Sequence, residues 1–190
     1  MSSKQRNAAA PGLIKRVFAA LRGLPDRLLH GRRHRAVRDQ LAQMDRPRRM
    51  LVVCYGNICR SPYLHAVLAR ALPDIRIDSA GFFEPGRPVP PHARTLAAQR
   101  GLDLSEFRSH SLVPTVVREA DLVIVMDGYQ SRHMRRYYGV ARSRIVVAGD
   151  LDPLPSFSRT IADPWELPLH VFTSSFDRLD RCAATLVSAL

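Results

Sequence analysis

With 190 residues, 46% of them apolar and 24% charged, the chain is long enough for one domain with a full hydrophobic core and an appendage, and its balance is that of a globular protein. The net charge of +12 is unevenly placed: residues 1–49 hold 13 Lys/Arg against Asp26, Asp39 and Asp45, a net +10, whereas residues 50–190 hold 16 against 14 acids, a net +2. The basicity belongs to the N-terminal segment and gives no ground for a nucleic-acid-binding domain.

Residues 1–10 are polar and Ala-rich, an expected disordered start. From Leu13 to Leu29 the apolar residues Ile14, Val17, Phe18, Leu21, Leu24, Leu28 and Leu29 recur at near-helical spacing between basic ones, and Gly23 and Pro25 are expected to break them into two short helices. A basic amphipathic segment of this kind suits an anionic membrane surface, an acidic partner, or docking on its own domain. The apolar run Met50-Leu51-Val52-Val53 predicts a short buried strand ending at Cys54. Gly56 and Asn57 allow a tight loop, and Ser61-Pro62 opens a helix burying Leu64, Val67, Leu68 and Leu72.

Ile75 to Asp78 predicts a second strand, and Ser79-Ala80-Gly81-Phe82-Phe83 begins a Pro/Gly-rich loop. Helices follow over His92–Arg100, closed by Gly101, and over Pro114–Ala120. Leu122 to Met126 is the clearest buried strand, followed by a helix from Gln130 to Tyr138 and a fourth strand, Ile145 to Ala148. A Pro-rich loop from Gly149 to Pro168 leads to a final helix with Val171, Phe172, Phe176, Leu179, Cys182, Leu186 and Leu190 on its core face. Short apolar strands alternating with helices predict an α/β fold with a parallel sheet covered on both faces, and ligands at the C-terminal ends of its strands.

That geometry puts Cys54 where chemistry is expected. The strand end, the loop and the helix N-terminus form a cradle of backbone N–H groups for a phosphate-sized oxyanion, and they favour a nucleophilic Cys54 thiolate. Arg60, six residues on, lies where a closed loop returns its planar fork to two oxyanion oxygens. Attack on a phosphate ester also needs a proton donor, and either Asp152-Pro153 or Asp163-Pro164 in the late loop suits that task by position. Asp-Pro also simply initiates turns, the reading we give Asp152. Three cysteines make no disulfide framework and suit a reducing, intracellular setting, and the seven scattered histidines show no metal-ligand spacing. No apolar run approaches a membrane span, and none near the start has the makeup of a signal-peptide core.

The stretch Cys54-Tyr55-Gly56-Asn57-Ile58-Cys59-Arg60-Ser61-Pro62 resembles the loop of the low-molecular-weight protein tyrosine phosphatase family, and the likeness runs from about Met50 to the C-terminus. The resemblance implies a single three-layer domain over residues 50–190, with a four-stranded sheet in order 2-1-3-4, beside a basic extension over 1–49. It implies a phosphocysteine on Cys54 and phosphate held by Arg60 and by the loop from Tyr55 through Gly56, Asn57, Ile58 and Cys59 to Ser61. Ile161-Ala162-Asp163-Pro164-Trp165 resembles the family's late Asp-Pro-aromatic motif, which makes Asp163 the general acid and base and Trp165 one wall of an aromatic slot. Phe82 or Phe83 is the expected second wall, one facing the site and the other packing. Asn57, Ser61 and Ser79 match family positions that brace the loop. The family's supporting His is replaced by Phe107, with His110 as a substitute.

The reaction so implied is metal-free and cofactor-free hydrolysis of protein phosphotyrosine. The expected partner is a phosphotyrosine protein, by family analogy a bacterial tyrosine kinase, and the expected place is the cytoplasm, with peripheral contact to anionic membrane through residues 13–49. Protein-arginine phosphatases and arsenate reductases share the loop. Leu122 to Tyr138 lacks the reductase's relay cysteines, and Ile58 stands where arginine phosphatases carry Thr. A phosphotyrosine-binding module without turnover needs neither Cys54 nor Asp163. Cys59, close in sequence to Cys54, is either an apolar filler or a redox partner that captures the oxidised nucleophile.

Overall fold

The computed structural model describes the backbone of residues 13–190 and the side chains of residues 24–190. Four parallel strands form one sheet in the order β2-β1-β3-β4: β1 is Arg49–Cys54, β2 Arg76–Gly81, β3 Leu122–Val125 and β4 Ile145–Val147. The α/β class and the strand order implied by the family are both found. Because successive side chains point to opposite faces of a strand, β1 serves two cores. Met50, Val52 and Cys54 join one with residues of α2 (Arg60–Ala71), α3 (Pro91–Gln99) and α6 (Leu169–Ala189). Leu51 and Val53 join the other, under α4 (Pro114–Glu119) and α5 (Gly128–Tyr138). Three layers result. The chain leaves β1 toward β2 on one side and returns to β3 on the other, so the order reverses at the end of β1, where Cys54 lies.

Several expected boundaries shift. The basic segment is one helix, α1 (Leu13–Ala42), not two, with Pro25 inside it. A proline costs its own N–H bond and crowds the preceding turn, but the residues beyond it are tied down. Arg33 pairs with Asp26 at 2.5 Å, and Val37 and Leu41 are buried in the first core. Gln40 Nε2 donates to the carbonyls of Ser143, in the turn before β4, and of Ile145, at the start of that edge strand. His34 Nδ1 lies 3.1 Å from the carbonyl of Asp150, which can only accept, so that nitrogen carries the proton. Ile14, Val17, Phe18 and Leu21 lie outside the described side chains, whereas Leu24, Leu28 and Leu29 are exposed.

Strand β2 extends three residues further than expected, through Ser79-Ala80-Gly81, because Gly81 N–H and C=O bond to His110 O and Leu112 N. Helix α5 begins earlier, at Gly128, where Asp127 caps it by accepting the Gln130 N–H at 2.7 Å. It ends at Gly139, whose φ of 65° is open to glycine. Ala148 belongs to a 3-10 turn rather than to β4. Within α6, Val171 and Leu190 are only half-buried, and Ser175 and Ala183 join the core face. Among the described residues no helix is long and apolar enough to cross a membrane.

Candidate active site

Cys54 is the last residue of β1 and is buried, and the chain turns from it through residues 55–59 into α2. Asn57 makes the turn possible by adopting a left-handed φ of 51°. Its fully buried side chain is then the hub of the loop. Nδ2 donates to Ser61 Oγ at 2.8 Å and to Ser79 Oγ at 3.1 Å, and Oδ1 accepts from the His110 N–H at 2.7 Å. Ser61 Oγ donates its own hydrogen bond to Cys54 Sγ, 3.0 Å away, a contact that stabilises a sulfur anion. Asn57, Ser61 and Ser79 therefore stand behind the loop and do not line the pocket.

The end of β2 presses on the same loop. The N–H of Phe82 donates to Tyr55 O at 2.8 Å, and a Cβ at Gly81 would fall 2.8 Å from both Asn57 N and Tyr55 O. Only glycine allows so close an approach. This requirement was not visible in the sequence, where Gly81 read as the opening of a loop.

A pocket of about 330 Å³ opens over Cys54. Tyr55, Gly56, Ile58, Cys59 and Arg60 form its base and side, and Phe83, Arg87, Asp163 and Trp165 its rim. Arg60 is buried; Nη1 donates to Ile161 O at 3.0 Å and Nη2 to Asp163 Oδ2, while Nε has no partner among the described residues. The structure thus brings Cys54, Arg60 and Asp163 to one cavity. The segment carrying Asp163 is clamped on both sides. Ile161 N–H donates to Met126 O at 2.9 Å, Ser175 Oγ to Ala162 O at 3.0 Å and Arg178 Nη1 to Thr160 O at 2.9 Å.

Asp152 lies elsewhere. Its carboxylate, 1% exposed, accepts from Arg178 Nε at 2.9 Å, Arg181 Nε at 2.9 Å and Arg181 Nη2 at 3.0 Å, and from the Leu154 N–H in a turn. Burial pushes this carboxyl up, but the hydrogen bonds from Arg181 and Leu154 and the charges of Arg181 and Arg178 outweigh it and hold it below the ordinary carboxylate range.

Of the two phenylalanines, Phe83 is at the rim, edge-on to Tyr55 at 4.9 Å. Phe82 is not a wall: it turns to the opposite side, onto His133 at 4.7 Å and the second core, as alternation along an extended chain requires. Trp165 also lines the pocket, with the Arg87 guanidinium 5.3 Å over its ring. Arg87 escaped the sequence reading; an arginine in a Pro/Gly-rich loop carries no spacing signal.

Phe107 packs against His65 and His110 and so cannot brace the loop by hydrogen bonding. His110 contributes its backbone N–H, not its ring, to Asn57, and the ring that reaches Ser79 Oγ, at 3.3 Å, is that of His65 on α2. Burial holds the His65 imidazole below its usual range. Burial also raises the Cys59 thiol well above its ordinary value, with the negative charges of Cys54 and Asp163 acting in the same direction, so Cys59 stays protonated. Cys182, on the buried face of α6, is pushed up to about 12, chiefly by burial, and is placed for packing rather than relay chemistry. Among the described residues no cluster of His, Cys, Asp or Glu is arranged to hold a metal ion.

The family model for low molecular weight phosphotyrosine protein phosphatase matches residues 49–190. A probable low molecular weight protein-tyrosine-phosphatase of Ralstonia nicotianae, EpsP, is 35% identical over 133 residues, covering 70% of this chain and 88% of that protein. The crystal structure of the Erwinia amylovora tyrosine phosphatase AmsI superposes with a TM-score of 0.72 at 30% identity, over 78% of this chain and 96% of that one. The YwlE arginine phosphatase of Geobacillus stearothermophilus superposes with a TM-score of 0.67 at 27% identity, over 75% and 92%.

Proposed function

The chain belongs to the low molecular weight phosphotyrosine protein phosphatase family, and on that footing we propose that it hydrolyses phosphotyrosine in proteins through a phosphocysteine on Cys54. One observation carries the reading. A buried sulfur that accepts a hydroxyl hydrogen bond, a buried guanidinium with an unpartnered N–H, and a half-exposed carboxylate share one pocket.

The Cys54 thiolate attacks phosphorus in line with the ester oxygen. A P–S bond forms as the P–O bond to the aryl ring breaks. Loop amides from Tyr55 to Cys59 and the Arg60 fork take up the charge on the three remaining oxygens. Phosphate competes with Asp163 for Arg60 Nη2, which frees the carboxyl to face the ester oxygen and give its proton to the leaving phenolate. In the second half Asp163 accepts a proton from water, the water oxygen attacks phosphorus, and the P–S bond breaks. The Ser61 hydroxyl stabilises the thiolate so released. Neither metal nor cofactor is required by this sequence of steps.

The aromatic lining of Tyr55, Phe83 and Trp165 suits a flat aryl ring, and the apolar Ile58 in the lining offers no hydroxyl to a phosphoguanidinium. The substrate class is a phosphotyrosine protein, and by family analogy a bacterial tyrosine kinase. We place the protein in the cytoplasm, with the basic segment over residues 13–49 touching anionic membrane; its charge and the exposed Leu24, Leu28 and Leu29 support that contact. Steady-state kinetics on phosphotyrosine and phosphoarginine peptides test the reading. A strong preference for phosphotyrosine, abolished by Cys54→Ser, is expected, and preference for phosphoarginine overturns it.

A further inference from the structure

A second cavity, of about 430 Å³, lies on another part of the molecule, between α1, the free edge of β4 and the start of α5. Five arginines line it, Arg33 from α1, Arg132 and Arg135 from α5, Arg142 and Arg159 from the loops, with Asp150 their only acidic neighbour in the lining. Arg33 is neutralised by Asp26 and Arg159 by Asp150. Arg132, Arg135 and Arg142 have no hydrogen-bond or ion-pair partner among the described residues. Two of the guanidiniums approach one point: a Cβ on Gly128 would be 3.6 Å from Arg132 Nη1 and 3.8 Å from Arg159 Nη1, while Arg135 and Arg142 share the lining. Like charges gathered around one concavity repel unless an anion joins them.

We propose that this cavity is a binding site for a soluble oligophosphate, an anion with two or more linked phosphate groups. Charge sets the class: three uncompensated guanidiniums call for an anion of about three negative charges, and planar forks are the natural partners of phosphate oxygens. The cavity has no aromatic residue in its lining, so the phosphate chain is the part recognised, not a base. Part of the site also lies outside the family match. Its α1 wall, with Arg33 and Gln40, precedes the family match, which begins at residue 49. A ligand there bridges α1 to α5 and locks the extension onto the domain.

Isothermal titration of tripolyphosphate into the full chain, with orthovanadate saturating the Cys54 pocket, tests this. One bound tripolyphosphate is expected, with an affinity that falls steeply with salt and a raised melting temperature. Arg132→Gln/Arg142→Gln should weaken it by roughly tenfold or more while leaving aryl phosphate hydrolysis and the fold intact. Absence of binding to the parent, or equal binding to parent and variant, overturns the proposal. Glycerophosphoglycerol, a soluble phospholipid headgroup with one phosphodiester, supplies the control for the ligand's source. It should bind about tenfold more weakly than tripolyphosphate, and equal affinity would assign the cavity to lipid headgroups instead.

Discussion

Arg60 holds two partners with different atoms: Nη1 anchors the carbonyl of Ile161, and Nη2 meets the carboxylate of Asp163. A lysine in its place has one point of charge and cannot serve the loop, the acid and a phosphate together. Arg60→Lys should lower kcat/KM by about 10²-fold or more in a steady-state assay. The two Asp-Pro pairs predict opposite signatures. Asp163→Asn should slow phosphotyrosine far more than activated aryl phosphates, since only the poor leaving group needs the proton. Asp152→Asn should instead cost stability, about 3 kcal/mol by denaturant titration, because Arg178 and Arg181 lose a buried counter-charge. The Asp152 carboxyl is held below its ordinary value, so the stability it brings is complete above pH 3.8 and is lost as pH falls below that value. Cys59 remains a thiol beside the nucleophile. After mild peroxide and then reductant, the parent should recover more activity than Cys59→Ser; equal recovery would leave Cys59 as packing alone.

Strand β2 works on the site from its end. Gly81 lets the strand lie against the loop, and Phe82 then bonds back to Tyr55. Gly81→Ala inserts a methyl group at 2.8 Å from loop backbone, which must move. The expected cost is about 1–3 kcal/mol, with a disproportionate loss of kcat because the displaced atoms carry the cradle's amides. A variant with lowered melting temperature but unchanged kcat would show that the loop keeps its shape without this support. Helix α6 acts from the other side through Ser175 and Arg178, which bond the backbone on the N-terminal side of Asp163.

At the scale of the whole molecule, the basic segment is partly built into the domain. Val37 and Leu41 of α1 are buried in the first core, and each such side chain is worth about 1.5–3 kcal/mol of burial. A chain starting at Arg46 should therefore melt about 5 °C or more below the full chain, measured calorimetrically, while retaining hydrolysis of a small aryl phosphate. If α1 serves only the membrane, its removal leaves the melting temperature unchanged and abolishes cosedimentation with anionic vesicles.

The sequence located every strand to within three residues. Strands β1, β3 and β4, buried on both faces, are written as apolar runs, whereas at the edge strand β2 Ile75 and Ile77 alternate with Arg76 and Asp78. The order 2-1-3-4 is not encoded in such runs; it came only with the family likeness of the loop from Cys54 to Pro62. Arg60 was legible because it shares that loop with Cys54. Asp163 was not separable from Asp152 by spacing, since both lie in one Pro-rich segment; only the fold sends one carboxylate to Arg60 and the other to Arg178 and Arg181. Gly81, Arg87 and His65 stayed silent for the same reason, their roles resting on contacts across 14 residues or more of chain. Local sequence sets which segments are strands, turns and helices through short-range sterics and burial. Which distant side chains then share a cavity is decided by how the layers stack, and that is a property of the tertiary structure alone.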